Sequence, residues 1–288
     1  MIHPALPLLL ALLCLPAEAQ GFAPEDAKVM ALSRARDWPA LAAHIDSLPP
    51  KDRGRHLMAW VSALSRSGQH ARSVEVCDSV LDQLRDHPED PQVAFALEFK
   101  ARGLGQLGRP AEAGALWEQL AQRPGRALDY QNAIVEYRNA QDWPAMARSA
   151  RPLLQAVPGL APSAKAWLGE ALARQEQWTE AEPLLREALA AQPKQPYAWT
   201  NLARCLNERK AWQEALDACT EALAQEPRQP EALYNRGRSA FELKQYPQAI
   251  QDFQAALGFL PADATLLANL HQAQRYADTE AKGKKNKK

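Results

Sequence analysis

A period of 34 residues is the feature of this sequence that most restricts its fold. From position 162 onward, six columns recur at this spacing, and each column holds the same or a similar residue in three successive repeats. The columns are Pro162, Pro196 and Pro230; Gly169, Ala203 and Gly237; Trp178, Trp212 and Tyr246; Ala181, Ala215 and Ala249; Ala188, Ala222 and Ala256; and Pro193, Pro227 and Pro261. A fixed period of this length predicts supersecondary elements that stack and bury a continuous core between neighbours.

Each column has a physical role in a pair of antiparallel helices. Small residues such as Gly169 let the two helices of a pair approach closely. The aromatic residue lies at the turn into the second helix, where Thr179 and Glu182 match a capping box for that helix. Proline, as at Pro193, ends the second helix because it cannot continue the hydrogen-bond ladder. The columns therefore predict three well-formed helical hairpins over residues 162–261.

This pattern resembles the tetratricopeptide repeat (TPR), which has small residues, a turn aromatic and a closing proline at corresponding places. The residues that carry the resemblance most completely are Trp199, Leu202, Ala203, Ala215, Ala222 and Pro227. Arg236 departs from it, since the family prefers leucine there, so we expect a loosened hairpin or an arginine stem lying along apolar surface. The resemblance implies an all-α solenoid of antiparallel helix pairs that winds as a right-handed superhelix.

The period fades towards the amino terminus and stops near the carboxyl terminus. Residues 24–158 keep parts of the pattern, for example a tetrapeptide starting at Asp37 that recurs at Asp142. We predict degenerate helical hairpins there, which brings the total to about six or seven. Residues 264–277 repeat only the first helix, so they match the capping helix that shields the last apolar face of a solenoid.

The first residues predict export. An apolar run from Ala5 to Leu15 is followed by Ala17 and Ala19, and the run is too short to anchor the chain in a bilayer. Such a run before a small-residue site is typical of a secretory signal, although no Lys or Arg precedes it. We predict a signal peptide over residues 1–19 and a periplasmic or secreted mature chain without a stable transmembrane anchor. The alternative is an apolar N-terminal helix that packs on the body.

Three cysteines follow the predicted cleavage site, Cys77, Cys205 and Cys219. An odd number without close spacing gives no disulfide framework, so buried thiols are the default prediction. A bond between Cys205 and Cys219 is the alternative, because they would lie on the two helices of one hairpin in an oxidising compartment.

The last residues are polar and basic. Residues 278–288 contain five lysines and no apolar residue after Ala281. Such a segment cannot bury enough apolar surface to offset its chain entropy, so we predict a disordered tail. The tail is predicted to solubilise the chain, and contact with an anionic surface is the alternative.

No motif in the sequence indicates catalysis or a cofactor. The stretch from Gly103 to Gly108 matches the glycine pattern of dinucleotide sites, but the residues before it have helical spacing where such a site needs a strand. We predict Gly108 in a turn between helices. The histidines show no zinc spacing, and no nucleophile elbow or phosphate loop is present. With 34 basic and 34 acidic residues, no net charge recruits nucleic acid.

The first helices of stacked hairpins line an extended groove, and this is where we predict partner binding. Asn201, Asn235 and Asn269 lie 34 residues apart, and a side-chain amide both donates to and accepts from a peptide backbone. This arrangement resembles the asparagine ladder of some peptide-binding members of the family. The alternative is that asparagine here belongs to the generic repeat.

Further groove candidates are Tyr197, Arg204, Tyr234 and Arg238, whose residue types are favoured at binding anchors. Both arginines are expected to meet an acidic side chain or a terminal carboxylate. The asparagine by which some chaperone-binding relatives grip a terminal carboxylate is not matched, because Glu170, Arg204 and Arg238 stand in its place.

These observations predict a non-catalytic interaction scaffold of the bacterial cell envelope that binds a peptide or a partner helix. No cofactor, metal or nucleic acid is expected to bind. The alternative is an enzyme or enzyme subunit with a composite site in the irregular N-terminal half.

Overall fold

A computed structural model describes residues 24–285, with side chains for residues 26–282. This range is helical and contains no strand, and its helices pair as antiparallel hairpins, which confirms the predicted all-α solenoid of helix pairs. The chain divides into two compact units between Leu120 and Ala121. The predicted signal peptide, residues 1–19, lies outside the described residues.

The N-terminal unit contains three hairpins. Its helices are α1 (Pro24–Ala35), α2 (Trp38–Ser47), the one-turn α3 (Pro50–Arg53), α4 (Leu57–Arg66), α5 (His70–Gln83), α6 (Pro91–Gln106) and α7 (Pro110–Ala121). Leu41 and Ile45 on α2 are completely buried against Leu64 on α4. Val74 on α5 packs with Leu104 on α6. Each hairpin is therefore buried against the next one, as the repeat pattern requires.

The C-terminal unit contains four hairpins and a last single helix. Its helices are α8 (Asp129–Asn139), α9 (Trp143–Ala156), α10 (Ala161–Arg174), α11 (Trp178–Ala191), α12 (Pro196–Glu208), α13 (Trp212–Gln225), α14 (Pro230–Glu242), α15 (Tyr246–Leu257) and α16 (Ala264–Lys285). Leu266 and Leu270 on α16 are buried against the core that contains Leu233 and Phe253. The last helix thus covers the apolar face of the last hairpin.

Helix α16 is longer than the capping helix that the sequence predicted. It continues through residues 278–285, which were assigned to a disordered tail. The segment has alanine, glutamate and lysine, which are good helix formers, and no proline interrupts the helix begun at Ala264. Composition alone therefore placed the end of this helix too early.

Every hairpin in residues 24–285 turns in the same way. The residue two positions before the second helix has a left-handed backbone, with φ between 56° and 78°. These residues are Arg36, Gly68, Gly108, Gln141, Glu176, Lys210 and Lys244. The next residue donates its N–H to a carbonyl five positions back, for example Asp37 to Leu32 at 3.1 Å and Gln245 to Ala240 at 2.8 Å. The left-handed residue and this hydrogen bond together form a Schellman motif at the end of the first helix. The motif sets the direction of the second helix.

The glycine pattern at 103–108 serves the hairpin. A Cβ atom on Gly103 would lie 2.7 Å from Cγ2 of Val74, so this glycine allows α5 and α6 to approach closely. Gly108 has φ +73° and forms the turn between α6 and α7, as predicted. These glycines are therefore explained by packing and by turn geometry.

The three cysteines that follow residue 19 are buried and free. Burial raises the pKa of the Cys77 thiol and that of the Cys205 thiol to about 12. Cys205 and Cys219 are not joined, so the alternative of a disulfide within this hairpin does not describe the structure.

The capping box predicted for α11 is wrong. The residue before the helix is Gln177, and no side chain caps the helix start. Glu182 instead accepts hydrogen bonds from Nε of Arg186 at 2.9 Å and from Nη1 of Arg209 on the following hairpin. Two arginines in reach of a carboxylate that is only 8% exposed outcompete the backbone amides.

Stability should depend on pH through Glu182. Burial raises the pKa of this carboxyl, but the hydrogen bonds from Arg209 and Arg186 outweigh burial and leave the pKa below its ordinary value. A lowered folded-state pKa gives stabilisation that is present above the unfolded-state pKa, about 4.3, and is lost as the pH falls through the folded-state value. We expect Glu182→Gln to unfold at a lower urea concentration than the parent chain at pH 7. Between pH 7 and pH 3, the urea midpoint of the variant should fall by less than that of the parent. An equal loss in both proteins would contradict this assignment.

Candidate functional site

The first helices of the C-terminal unit form one polar surface. Helix α10 contacts α12, α12 contacts α14, and Nη2 of Arg138 on α8 lies 2.6 Å from Oε2 of Glu170 on α10. We call the surface made by the side chains of α8, α10, α12 and α14 the first-helix face. All predicted binding residues except Asn269, which lies on α16, belong to it.

The three asparagines do not form a uniform ladder. Asn201 and Asn235 are 4% and 3% exposed, and Asn269 is half-buried. Nδ2 of Asn201 donates to the carbonyl oxygen of Tyr197 at 2.9 Å, whereas its Oδ1 is buried without a hydrogen-bond partner in the described part of the chain. The carbonyl oxygen of Asn235 accepts from Asn207 at 3.1 Å, which ties this residue into the contact between hairpins. Asn201 is therefore the member with an unused acceptor.

The two predicted arginine anchors already hold carboxylates of neighbouring hairpins. Nη2 of Arg204 lies 3.1 Å from Oε2 of Glu231. Nη1 of Arg238 lies 2.6 Å from Oε1 of Glu208. A third arginine, Arg174, shares Glu231, with Nη2 at 2.8 Å from Oε1 and 2.9 Å from Oε2. A partner carboxylate would have to compete with these internal ion pairs.

The pKa of Arg204 is lower than the ordinary value for arginine. Burial lowers the pKa of Arg204, and the nearby positive charge of Arg174 lowers it further. Glu231 acts in the opposite direction on the same pKa. Two guanidinium groups thus share a single carboxylate at this point of the first-helix face.

The two predicted tyrosines differ in accessibility. Tyr197 is 63% exposed at the start of α12. Tyr234 is half-buried, and its ring centroid lies 6.3 Å from that of Phe253 in the core. Tyr197 is therefore available to a partner, whereas Tyr234 also contributes to the packing of its own hairpin.

A cleft of about 180 Å³ opens between α8, α10 and α12. Its lining residues are Arg138, Ala166, Trp167, Glu170, Gln195, Pro196, Tyr197, Ala198 and Asn201. Two of these lining residues have a polar atom that is buried without a partner in the described residues, Nε of Arg138 and Oδ1 of Asn201. The residues around the cleft thus carry one unused donor and one unused acceptor, beside two aromatic rings.

Sequence reasoning identified Tyr197 and Asn201 in this cleft but not Arg138 or Trp167. Arg138 belongs to the hairpin whose spacing is shifted, so no column of the 34-residue period marks it. Its pairing with Glu170 depends on how α8 and α10 pack, which only the structure gives.

The described residues contain no group of three or more His, Cys, Asp or Glu that could hold a metal ion. No helix among them is long and apolar enough to cross a membrane.

Comparisons with known proteins agree on the architecture. The family model for the tetratricopeptide repeat matches residues 132–196, 168–226 and 218–264. The solved structure of MamA from Desulfovibrio magneticus RS-1, from position 41 to its end, is 16% identical, with a TM-score of 0.50 over 59% of this chain and 97% of that chain. This likeness shows the fold.

Two further solved structures are similar over parts of the chain. YrrB, described as a TPR protein with an unusual peptide-binding site, is 21% identical over 67% of this chain and 96% of its own, with a TM-score of 0.48. The TPR domain of Arabidopsis OM64 is 25% identical over 40% of this chain and 95% of its own, with a TM-score of 0.39. No curated protein matches.

Proposed function

This chain is a tetratricopeptide-repeat protein, and we propose that it is a non-catalytic scaffold that binds an extended peptide in the cleft between α8, α10 and α12. Repeats of this family generally act as protein-interaction modules. The observation that carries the proposal is that two residues lining this cleft have a buried polar atom without a partner in the described part of the chain, Nε of Arg138 and Oδ1 of Asn201.

A peptide backbone supplies what both atoms lack. Its N–H groups can donate to Oδ1 of Asn201, and its carbonyl oxygens can accept from Nε of Arg138. A buried polar group without a partner costs about 1–3 kcal/mol, so satisfying both groups favours the bound state. Trp167 and the exposed Tyr197 add aromatic surface at the same place.

The alternative, a composite enzymatic site in the N-terminal half, has less support. A cleft of about 360 Å³ in the N-terminal unit is lined by Arg53, Trp60 and Arg72, among others. Arg53 donates to the backbone oxygens of Leu48 at 2.9 Å and Asp46 at 2.8 Å, and Arg72 lies 2.7 Å from Oδ1 of Asp46. These arginines hold α2 and its following turn in place, which is a structural task.

Peptide binding is best tested with a matched pair of tyrosine variants. Peptides are selected from a random 12-residue library on the purified chain, and their dissociation constants are measured by fluorescence anisotropy. We expect Tyr197→Ala to weaken the selected peptides about tenfold because an exposed aromatic anchor is lost. Tyr276→Ala should change the affinity less than about twofold, since Tyr276 is 50% exposed but lies on α16, away from the cleft.

Two results would overturn the proposal. One is a library that yields no binder to the intact chain. The other is a set of binders whose affinities are unchanged by Tyr197→Ala and also by Asn201→Leu, with the helicity of both variants verified by circular dichroism.

We also propose that the chain acts outside the cytoplasm, as a component of a bacterial envelope assembly. The apolar run and the Ala17–Ala19 site support this proposal. Expression of the full gene with separation of cellular fractions should give a mature protein that begins at Gln20 in the periplasm or the medium, as read by N-terminal sequencing. An unprocessed chain confined to the cytoplasm would contradict it.

A further inference from the structure

One carboxylate joins three successive hairpins on the first-helix face. Glu231 lies at the start of α14 and contacts Arg174 at the end of α10 and Arg204 in the middle of α12, at 2.8 Å and 3.1 Å. The side chain of Glu231 is 48% exposed, while those of Arg174 and Arg204 are 28% and 19% exposed. The carboxylate is thus the most exposed member of the cluster, so solvent is open to it if a competitor takes its place at the two guanidinium groups.

This cluster contains an N–H donor for which the described part of the chain supplies no acceptor. Nε of Arg174 is buried and has no hydrogen-bond partner in the described part of the chain. The guanidinium of Arg174 also lies 5.1 Å from the ring of Trp143, which holds its plane in position. Among the described residues, the ion pairs that join α8, α10, α12 and α14 to one another link four arginines, Arg138, Arg174, Arg204 and Arg238, to three carboxylates, Glu170, Glu208 and Glu231.

The cluster is continuous with the cleft of the proposed function. Arg174 lies one turn after Glu170 on α10, and Arg204 lies one turn after Asn201 on α12. Residues three and four apart share one face of a helix, so the two arginines extend the line of polar groups that begins in the cleft. A peptide bound in the cleft would pass beside them.

We propose that Arg174 and Arg204 form a receptor site for an acidic side chain of the bound peptide, and that Glu231 occupies this site as an internal competitor in the free chain. The inference rests on the proposed function, because it assigns the chemistry of the peptide. Aspartate or glutamate of the partner replaces Glu231 at the two guanidinium groups. A basic peptide would be repelled by the guanidinium groups of Arg174 and Arg204.

The competitor can be removed without changing its shape. Glu231→Gln removes the negative charge and releases both arginines. The matched control is Glu214→Gln, because Glu214 forms an ion pair of similar length with Arg186, 2.6 Å, between the second helices α11 and α13, and its removal changes the net charge equally. Fluorescein-labelled decapeptides of glutamate, lysine and alternating glycine–serine are the probes, and anisotropy at 0.15 M salt gives their dissociation constants.

We expect the glutamate peptide to bind Glu231→Gln about fivefold more tightly than the parent chain, and Glu214→Gln to match the parent within about twofold. Adding Arg204→Gln to Glu231→Gln should abolish the gain, and the lysine peptide should bind none of the proteins. Equal tightening by both glutamine variants would show a bulk-charge effect and overturn the inference, as would a gain that survives Arg204→Gln.

The two proposals fail in different ways. If library peptides bind through Tyr197 but the glutamate peptide gains nothing from Glu231→Gln, the proposed function stands and the acidic-partner inference is wrong. If the glutamate peptide gains from Glu231→Gln while no binding depends on Tyr197 or Asn201, the cleft is not the peptide site and the proposed function is wrong.

Discussion

Replacing Asp252 with alanine should destabilise the chain by about 3 kcal/mol. Asp252 is 1% exposed, and its Oδ2 and Oδ1 lie 2.9 Å and 2.7 Å from Nε and Nη2 of Arg236. Nε2 of Gln248 donates to the same carboxylate at 3.1 Å. The variant would leave the guanidinium of Arg236, which is 21% exposed, without its counter-charge between two packed hairpins. Urea denaturation followed by circular dichroism measures the loss.

The preceding hairpin supplies the control. The positions of Arg236 and Asp252 are occupied by Leu202 and Ala218 one repeat earlier, and both of these residues are buried. The double variant Arg236→Leu with Asp252→Ala reproduces this apolar pair, so it should recover most of the stability lost by Asp252→Ala alone. Replacement of a buried ion pair by well-packed apolar residues is often neutral or stabilising. A double variant as unstable as Asp252→Ala would show that lost packing, and not the orphaned charge, causes the effect.

This ion pair also shows what the sequence could and could not predict. Arg236 was recognised as a departure from a leucine column, and the expectations drawn from it were a loosened hairpin or an arginine stem on apolar surface. The structure shows a bidentate pair with Asp252. Asp252 departs from its own apolar column in the same repeat, so two opposite charges in one hairpin were an available signal. Columns read one at a time do not reveal such a pair.

The architecture followed from the period because the columns record packing within and between hairpins. Small residues, turn aromatics and prolines act locally and repeat with the fold. The turns were less predictable: glycine marks the left-handed position in two of the seven described hairpins, whereas residues such as Lys210 and Lys244 adopt it because the hairpin imposes it. A left-handed residue other than glycine costs of order 1 kcal/mol, which the packing of the paired helices offsets.

The candidate site was predicted only in outline. Tyr197 and Asn201 were identified from their positions on the first helix, and both line the cleft. The partners of the arginines were not foreseen, because Arg174 and Glu231 are 57 residues apart and Arg204 and Glu231 are 27 apart. Neither separation equals the period of 34 residues. Which side chains of neighbouring helices come into contact depends on how the helices are shifted along their axes when they pack. Ion pairs of this kind cannot be read from columns.

Replacing Gly237 with alanine should destabilise the chain by about 2 kcal/mol, although alanine is the better helix former. A Cβ atom at this position would lie 2.8 Å and 2.9 Å from two ring carbons of Phe253 and 3.2 Å from Cβ of Asp252. The Phe253 side chain is 1% exposed and packs in the core of the last hairpins, so it cannot move aside easily. Thermal and urea denaturation would measure the effect.

The glycine position on the first helix and the position that faces it on the second helix hold residues of different size in the three repeats. This variation supplies the critical test. Gly169 faces Leu185, whose Cγ would lie 2.7 Å from an added Cβ, and Gly237 faces Phe253. In the middle repeat, the corresponding residues are Ala203 and Cys219, a larger residue opposite a smaller one. The larger first-helix residue thus faces the smallest second-helix residue, as close packing demands.

Reducing the ring to the size of the residue opposite Ala203 should therefore make alanine acceptable. In the background Phe253→Cys, which itself leaves a cavity, Gly237→Ala reproduces the Ala203–Cys219 pair of the middle repeat and should cost about 1 kcal/mol less than in the parent chain, a coupling typical of residues in contact. Gly159→Ala is the matched control in the same unit, because no atom lies within 4 Å of its added Cβ, and its effect should stay below about 0.5 kcal/mol. Additive effects of Gly237→Ala and Phe253→Cys would mean that the glycine column is set by something other than contact with the second helix.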